Sequence, residues 1–141
     1  HSGRSMKMSL KNCFILIALL GLLINCTDDS EGTDPKLEGR WQLKAVLMDP
    51  GDGSGTFQPI ESDKYIEFLS NGEIRSNSNL CSSGGNIDTP SSGNYILPDS
   101  VLIIDNCPRP LGPTYFRIES ENLILSYPCI EPCEEKYVKL D

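Results

Sequence analysis

The residues most able to carry specific chemistry in this sequence are its cysteines. The only histidine is His1, which lies ahead of any region expected to form a domain. Histidine-based triads, Cys–His pairs and most zinc sites therefore lack their imidazole. Six cysteines are present, and four of them lie in the part of the chain expected to fold. Four cysteines in an exported domain predict two disulfides, for which three pairings are allowed. These four are Cys81, Cys107, Cys129 and Cys133.

We favour one of the three pairings. Cys129 and Cys133 are separated by three residues and flanked by prolines, so they can bridge within one loop. Cys81 and Cys107 would then join two long loops, closing about 27 residues and contributing roughly 3–4 kcal/mol in the chain-entropy model. A metal site of four thiols would need a reducing compartment, and a redox pair would favour a two-residue spacing.

The acidic residues offer less specific chemistry. Twenty carboxylates leave paired-acid glycoside chemistry open in principle, but no cluster stands out from ordinary solvated strand faces. The loop Asp49 to Thr56 places oxygen ligands at alternate positions, yet Phe57 stands where a calcium-binding EF-hand loop requires glycine. We therefore predict a flexible loop there, no metal site, no cofactor and no catalytic residue, so the chain is not expected to be an enzyme.

The chain begins with a segment typical of export signals. Lys7 and Lys11 precede a twelve-residue apolar run, Cys13 to Ile24. A membrane-spanning helix needs about 20 apolar residues, so this run fits a signal peptide better. Residues 1–25 are expected to comprise an upstream remnant and this signal, which is removed.

The end of the apolar run carries a resemblance. Leu23-Ile24-Asn25-Cys26 resembles the lipobox of bacterial lipoproteins, and Asp28 to Glu31 resembles the surface-export signal of Bacteroidetes-type lipoproteins. The resemblance implies that Cys26 carries a lipid anchor in the outer membrane. It further implies exposure at the cell surface, or otherwise at the periplasmic face. The alternative is an ordinary secretory signal followed by a spare thiol.

The remaining chain divides into a tether and one domain. Residues 26–36 comprise the lipidated cysteine and a flexible acidic tether, and residues 37–141 form the domain. After the signal, nine basic and twenty acidic side chains give a formal charge of −11. This charge excludes a nucleic-acid partner, which needs a basic surface. It leaves the lipid as the only expected membrane contact, and we expect a monomer.

Apolar residues alternate with polar ones along the whole domain, and no window has a helical stripe. Eight short strands separated by turn signals predict an all-β fold, an eight-stranded up-and-down antiparallel β-barrel. An open two-sheet β-sandwich is the alternative. The fifth strand, Val101 to Asp105, is apolar on both faces and is therefore predicted to be central. The other predicted strands are Leu37 to Met48, Lys64 to Leu69, Glu73 to Asn79, Gly93 to Leu97, Thr114 to Glu119, Leu123 to Tyr127 and Glu135 to Leu140.

The first strand carries a second resemblance. Gly39-Arg40-Trp41 resembles the Gly-x-Trp signature of lipocalins. The order of loops, the Asn71-Gly72 hairpin and the final cysteine loop are similar to those of small lipocalin-like lipoproteins of Bacteroidetes. The resemblance covers Leu37 to Leu140 and implies a barrel whose closed end holds Trp41. Where lipocalins stack an arginine on this tryptophan, the last strand here offers Lys136 and Lys139, which can make a cation–π contact.

Two functions follow from these expectations. The first is binding of a small apolar or amphipathic ligand inside the barrel, although the same inward residues would also serve a filled core. The second is a surface interaction module that uses the loops Asp49 to Pro59 and Leu80 to Ser92 against a protein or a glycan. The predicted ligand-binding residues are Trp41, Leu43, Leu47, Phe68, Tyr95, Phe116 and Leu125.

Overall fold

The computed structural model describes residues 36–84, 87, 89–108 and 112–140, all within one compact unit. The predicted signal, Cys26 and nearly all of the tether lie outside the described residues. Within the described ranges the secondary structure consists of strands, and no helix is long and apolar enough to cross a membrane. The strands are β1 (Gly39–Met48), β2 (Gln58–Pro59), β3 (Tyr65–Phe68), β4 (Glu73–Ser76), β5 (Ser91–Ile96), β6 (Val101–Ile104), β7 (Thr114–Glu119), β8 (Asn122–Tyr127) and β9 (Cys133–Lys139).

The strands form a closed antiparallel barrel. Each strand from β3 to β8 pairs with the next one along the chain, and β1 pairs with both β3 and β9, which closes the sheet. The two-residue strand β2 pairs only with the second half of β1. The eight-stranded up-and-down barrel is therefore confirmed, and the open sandwich is excluded. Closure leaves the eight main strands with neighbours on both sides.

Alternation of the side chains determines which residues face the interior. On β7, Phe116 is buried whereas its neighbour Tyr115 is half-exposed, as period two requires. The inward residues form one hydrophobic core, which includes Leu37, Trp41, Leu43, Ile66, Phe68, Ile74, Leu80, Tyr95, Leu102, Phe116, Leu123, Leu125 and Tyr137.

A β-bulge in β1 overturns one sequence-based expectation. The register with β9 shifts between Leu43 and Ala45, so one extra residue, Lys44, is inserted. Beyond it Val46 lies opposite the buried Glu135, and Leu47 lies opposite the partly exposed Glu134. Cross-strand partners share a face, so Val46 packs on the core and the prediction that Leu47 points inward is wrong.

Trp41 is buried near the end of the barrel at which β1 begins. The indole Nε1 donates a hydrogen bond to the carbonyl oxygen of Leu37, 2.8 Å away. The ammonium group of Lys139 lies 5.4 Å from the centre of the indole ring, a cation–π contact. Lys136 instead lies over Phe57, at 4.1 Å from that ring's centre. Lys139 therefore takes the place over the tryptophan.

The opposite end of the barrel carries the long loops and both disulfides. The predicted pairing is confirmed: Cys81 is bonded to Cys107, and Cys129 is bonded to Cys133. The first bond joins the loop after β4 to the loop after β6. It therefore ties two loops from neighbouring parts of the barrel wall.

The strand β6 differs from its prediction as a central strand buried on both faces. Leu102 is buried, but Ile103, its neighbour in the chain, is 51% exposed on the outer face. In a single-layer barrel the outer face meets solvent, so an apolar residue there is not covered by a second sheet. The doubly apolar pattern marks an exposed apolar stretch of the barrel wall.

Candidate functional site

Six of the seven predicted ligand-binding residues come together, but as packed core. Trp41, Leu43, Phe68, Tyr95, Phe116 and Leu125 are buried and belong to the same cluster. Leu47 is partly exposed and lies outside that cluster. The six residues thus occupy the barrel axis with their own side chains.

Three aromatic rings show how closely this core is packed. Phe68 meets Tyr95 at 5.2 Å between ring centres and Phe116 at 5.7 Å, both edge-on. Tyr95 and Phe116 meet at 6.4 Å, also edge-on. The Tyr95 hydroxyl donates to the carbonyl oxygen of Leu69 at 2.8 Å. Edge-to-face packing of this kind is favourable in itself, so these rings stabilise the fold without a ligand.

A cavity opens instead in the barrel wall, between β6 and β7. These strands pair only through Val101 with Tyr115 and Leu102 with Thr114, whereas β7 and β8 pair over five residue positions. The residue before Thr114 is Pro113, which has no N–H group to extend the ladder. β6 continues alongside β5 to Ile104. The two strands therefore separate, and we call the resulting space the β6–β7 cleft.

The β6–β7 cleft has a volume of about 410 Å³ and a mainly apolar lining. The Cys81–Cys107 disulfide lies on one side of it, and Thr114 and Asn106 supply its polar side chains. None of the seven predicted ligand-binding residues lines it. The apolar lining includes Leu80, Leu102, Ile103, Ile104, Pro113 and Pro128.

A glycine holds β6 in place beside the cleft. Gly93 on β5 lies opposite Ile104, and a Cβ atom at this position would collide with the carbonyl oxygen of Ile103. Only glycine allows the two backbones to approach so closely. This approach fixes the strand that forms one wall of the β6–β7 cleft.

A buried ionic cluster was missed by the sequence reasoning. Lys64 and Glu135 are both fully buried, and the Lys64 Nζ lies 3.0 Å from Glu135 Oε1. The other carboxylate oxygen, Oε2, accepts hydrogen bonds from the hydroxyls of Tyr127 at 2.6 Å and Tyr137 at 2.5 Å. We call these four residues the buried polar cluster.

The buried polar cluster also holds the loop that follows β4. Lys64 Nζ donates to the carbonyl oxygens of Gly84 at 2.9 Å and Asn79 at 3.3 Å. The N–H of Gly84 donates to Glu135 Oε1 at 2.7 Å. Within the described residues, every side-chain nitrogen or oxygen that solvent cannot reach has a hydrogen-bond partner. The cluster therefore secures the segment that carries Leu80 and Cys81.

Burial dominates the protonation behaviour of this cluster. Desolvation lowers the pKa of Lys64, against the opposing effect of the Glu135 charge. Desolvation and the Glu135 carboxylate raise the pKa of Tyr127 well above 10.0, and desolvation together with the neighbouring Tyr127 does the same for Tyr137. Both tyrosines therefore stay protonated as hydrogen-bond donors. Because the Lys64 ammonium and both tyrosine hydroxyls donate hydrogen bonds within the fold, the cluster serves to stabilise the structure.

The acidic loop after β1 uses its carboxylate internally. Asp49 Oδ2 accepts the N–H of Gly55 at 2.7 Å, and Oδ1 accepts those of Gly51 at 2.7 Å and Gly53 at 3.0 Å. These hydrogen bonds, first that of Gly55, lower the pKa of Asp49. Among the described residues, no three histidine, cysteine or carboxylate side chains converge as metal ligands.

The sequence held a signal for each feature that was missed. Lys64 is in phase with Ile66 and Phe68, and Glu135 is in phase with Tyr137, so alternation alone places both charges inside. For the β6–β7 cleft, the signal was a doubly apolar strand followed by a proline-rich loop. Neither pattern, taken alone, shows that the two strands would part.

Comparison with known proteins gives no family for this chain, so the functional proposal depends on the geometry described above. The chain matches no protein-family model, no curated protein and no solved structure.

Proposed function

We propose that this domain is a non-catalytic binding protein, held at the outer membrane by a lipid on Cys26, that binds a small apolar or amphipathic molecule. The observation that carries the ligand is the β6–β7 cleft. Its volume of about 410 Å³ falls within the range of roughly 300–1,000 Å³ typical of small-molecule sites. Its mainly apolar lining with two polar side chains is also typical of such sites. The ligand thus lies in the wall, beside the filled core.

The anchor is supported by the lipobox resemblance and is tested separately. Full-length protein expressed in a bacterium with a lipoprotein pathway should incorporate a labelled fatty-acid analogue, and Cys26→Ser should abolish incorporation. Each buried methylene adds about 0.8 kcal/mol, so several chains hold a domain firmly. An unlabelled wild-type protein would overturn the anchor while leaving the ligand site untouched.

Ligand binding is tested with an uncharged apolar dye, N-phenyl-1-naphthylamine, whose fluorescence rises in an apolar site. Ile103→Asp places a carboxylate on the cleft wall and should weaken dye binding about tenfold or more, since a charge there opposes apolar burial. The matched control is Ile118→Asp, at an isoleucine that is 42% exposed and outside the cleft lining. It should bind as the wild type does.

Three results would overturn binding in the β6–β7 cleft. One is a dye that fails to bind wild-type protein, and another is equal weakening by both aspartate variants. The third is retained affinity in the Ile103→Asp variant with an intact fold. If the cleft passes these tests, native mass spectrometry of protein purified from its own host would identify the natural ligand as an added mass.

A second candidate, a surface module for glycans, is favoured by a separate groove whose lining residues are mostly of polar types. This groove has a volume of about 680 Å³ and runs outside β4 and β5, beside the loop after β4. The aromatic, cationic and amide side chains in its lining, such as Tyr65, Arg75 and Asn79, can contact sugar rings and bind sugar hydroxyls. Binding to a glycan array that is lost in Arg75→Ala and kept in Ile103→Asp would favour it. The lining includes Tyr65, Arg75, Asn79, Ser92, Asp105 and Asn106.

A further inference from the structure

The β6–β7 cleft is lined by a threonine whose hydroxyl has no hydrogen-bond partner among the described residues. Thr114 is the first residue of β7 and is only 6% exposed. Its side chain makes no hydrogen bond within the described structure, in contrast to the other buried polar side chains. Every sealed side-chain oxygen there does have a partner. The unpartnered Thr114 hydroxyl is therefore accessible to solvent, and Thr114 lines the cleft.

The described residues that line the cleft around this hydroxyl carry no charge. Among the described lining residues, Asn106 is the only other polar side chain, and the rest are apolar residues, glycine and the disulfide. The buried charges of Lys64 and Glu135 are paired with each other and do not line the cleft. An ionised ligand group desolvated against Thr114 would find no counter-charge among the described lining residues, which is costly.

We infer that the β6–β7 cleft selects uncharged amphiphiles, with a hydroxyl, ester or amide group on Thr114 and an apolar body along Ile103 and Ile104. A hydroxyl both donates and accepts, so Thr114 can match either kind of neutral polar group. An ionised fatty acid or an alkylammonium binds more weakly than the corresponding alcohol. This inference rests on the proposed function, because it names the ligand class of that same cleft.

The experiment compares three amphiphiles of equal chain length as competitors for bound N-phenyl-1-naphthylamine. Decanol, decanoate and decylammonium are titrated below their aggregation limits at neutral pH. We expect decanol to displace the dye at about tenfold lower concentration than either ion, because a desolvated, unpaired charge is penalised. Equal displacement by all three, or stronger displacement by an ion, would overturn the inference.

Two variants then assign the preference to the hydroxyl. Thr114→Val keeps the shape of the side chain and should weaken decanol about five- to tenfold, the effect of one lost hydrogen bond. The dye itself, which lacks a hydroxyl, should bind both proteins alike. Thr114→Ser restores the hydroxyl and should restore decanol binding, which a packing role for the threonine methyl group would not do. Thr56→Val, at an exposed loop position, is the control for a lost hydroxyl elsewhere.

The outcomes distinguish a failure of the proposed function from a failure of the inferred selection of neutral amphiphiles. A dye that does not bind wild-type protein refutes the proposed function. A dye that binds while Thr114→Val leaves decanol unaffected refutes only the selection of neutral amphiphiles.

Discussion

The buried ion pair between Lys64 and Glu135 gives the sharpest test of how this small barrel is stabilised. Both side chains are fully buried, and Lys64 Nζ lies 3.0 Å from the carboxylate. Lys64→Met keeps an unbranched side chain but leaves Glu135 buried without its cation. Breaking a buried pair in this way costs about 3–5 kcal/mol. A domain of this size has a total stability of about 5–15 kcal/mol, so roughly a fifth or more of it is at stake.

The partner variant Glu135→Gln should cost a similar amount for a different reason. Glu135 accepts hydrogen bonds from Lys64, Gly84, Tyr127 and Tyr137. A glutamine replaces one acceptor oxygen with an NH₂ group, which cannot accept, so at least one buried donor loses its partner. In the double variant no buried charge remains. The loss should therefore be well below the sum of the single losses, with a coupling of about 2–3 kcal/mol.

The chain provides a matched control on its outer surface. Arg117 and Glu134 lie 2.7 Å apart, closer than the buried pair, but their side chains are 44% and 21% exposed. Arg117→Met should cost only about 0.2–1 kcal/mol, as surface pairs do. Urea unfolding is followed by the fluorescence of Trp41, the single tryptophan of the chain. A loss below about 1 kcal/mol for Lys64→Met, or additive losses in the cycle, would refute this reasoning.

Two further predictions concern other stabilising features, and a third concerns protonation. Replacing Cys81 and Cys107 by serine should lower the stability in urea by about 3–4 kcal/mol, and an unchanged midpoint would contradict the loop-closure account. Gly93→Ala should cost at least about 1–3 kcal/mol, because its Cβ would collide with the backbone of β6; exposed Asn94→Ala is its control. In a near-ultraviolet alkaline titration, two of the five tyrosines, Tyr127 and Tyr137, should stay protonated at a pH well above the ordinary tyrosine pKa of 10.0. Their raised folded-state pKa values mean that stability is fully present below pH 10.0 and falls at higher pH, as the unfolded chain releases these protons. Five tyrosines titrating together would refute their burial.

Much of the fold follows from period-two alternation, because a barrel imposes one simple rule on every strand. Each predicted strand corresponds to one of the eight main strands, with ends shifted by a few residues. The disulfide pairing was also accessible, since Cys129 and Cys133 are close enough in sequence to bridge locally. Only β2, a two-residue strand containing a proline, had no alternation to reveal it.

The errors arise where alternation is interrupted or is judged by polarity alone. A single bulge residue, Lys44, moves Leu47 out of the interior, and the sequence gives no indication of where a bulge falls. Charged side chains are usually found at the solvent-facing positions of strands, yet Lys64 and Glu135 are fully buried and in phase with inward residues. The charges pair across the interior and satisfy each other, and the filled core leaves the wall as the place for a cavity.

The β6–β7 cleft and the buried polar cluster depend on the same loop, which connects stability to binding. Leu80 is fully buried and lines the cleft, and its neighbour Cys81 is bonded to Cys107 on the far side. A few residues later, Gly84 is held by Lys64 through its carbonyl oxygen and by Glu135 through its N–H. The loop is therefore fixed at two points shortly after Leu80, one covalent at Cys81 and one ionic at Gly84. A cleft whose wall is held in this way keeps its shape without a ligand, and a site that is already formed loses little conformational entropy when a ligand enters. The buried charges, costly in themselves, thus serve the binding site by keeping one of its walls in place.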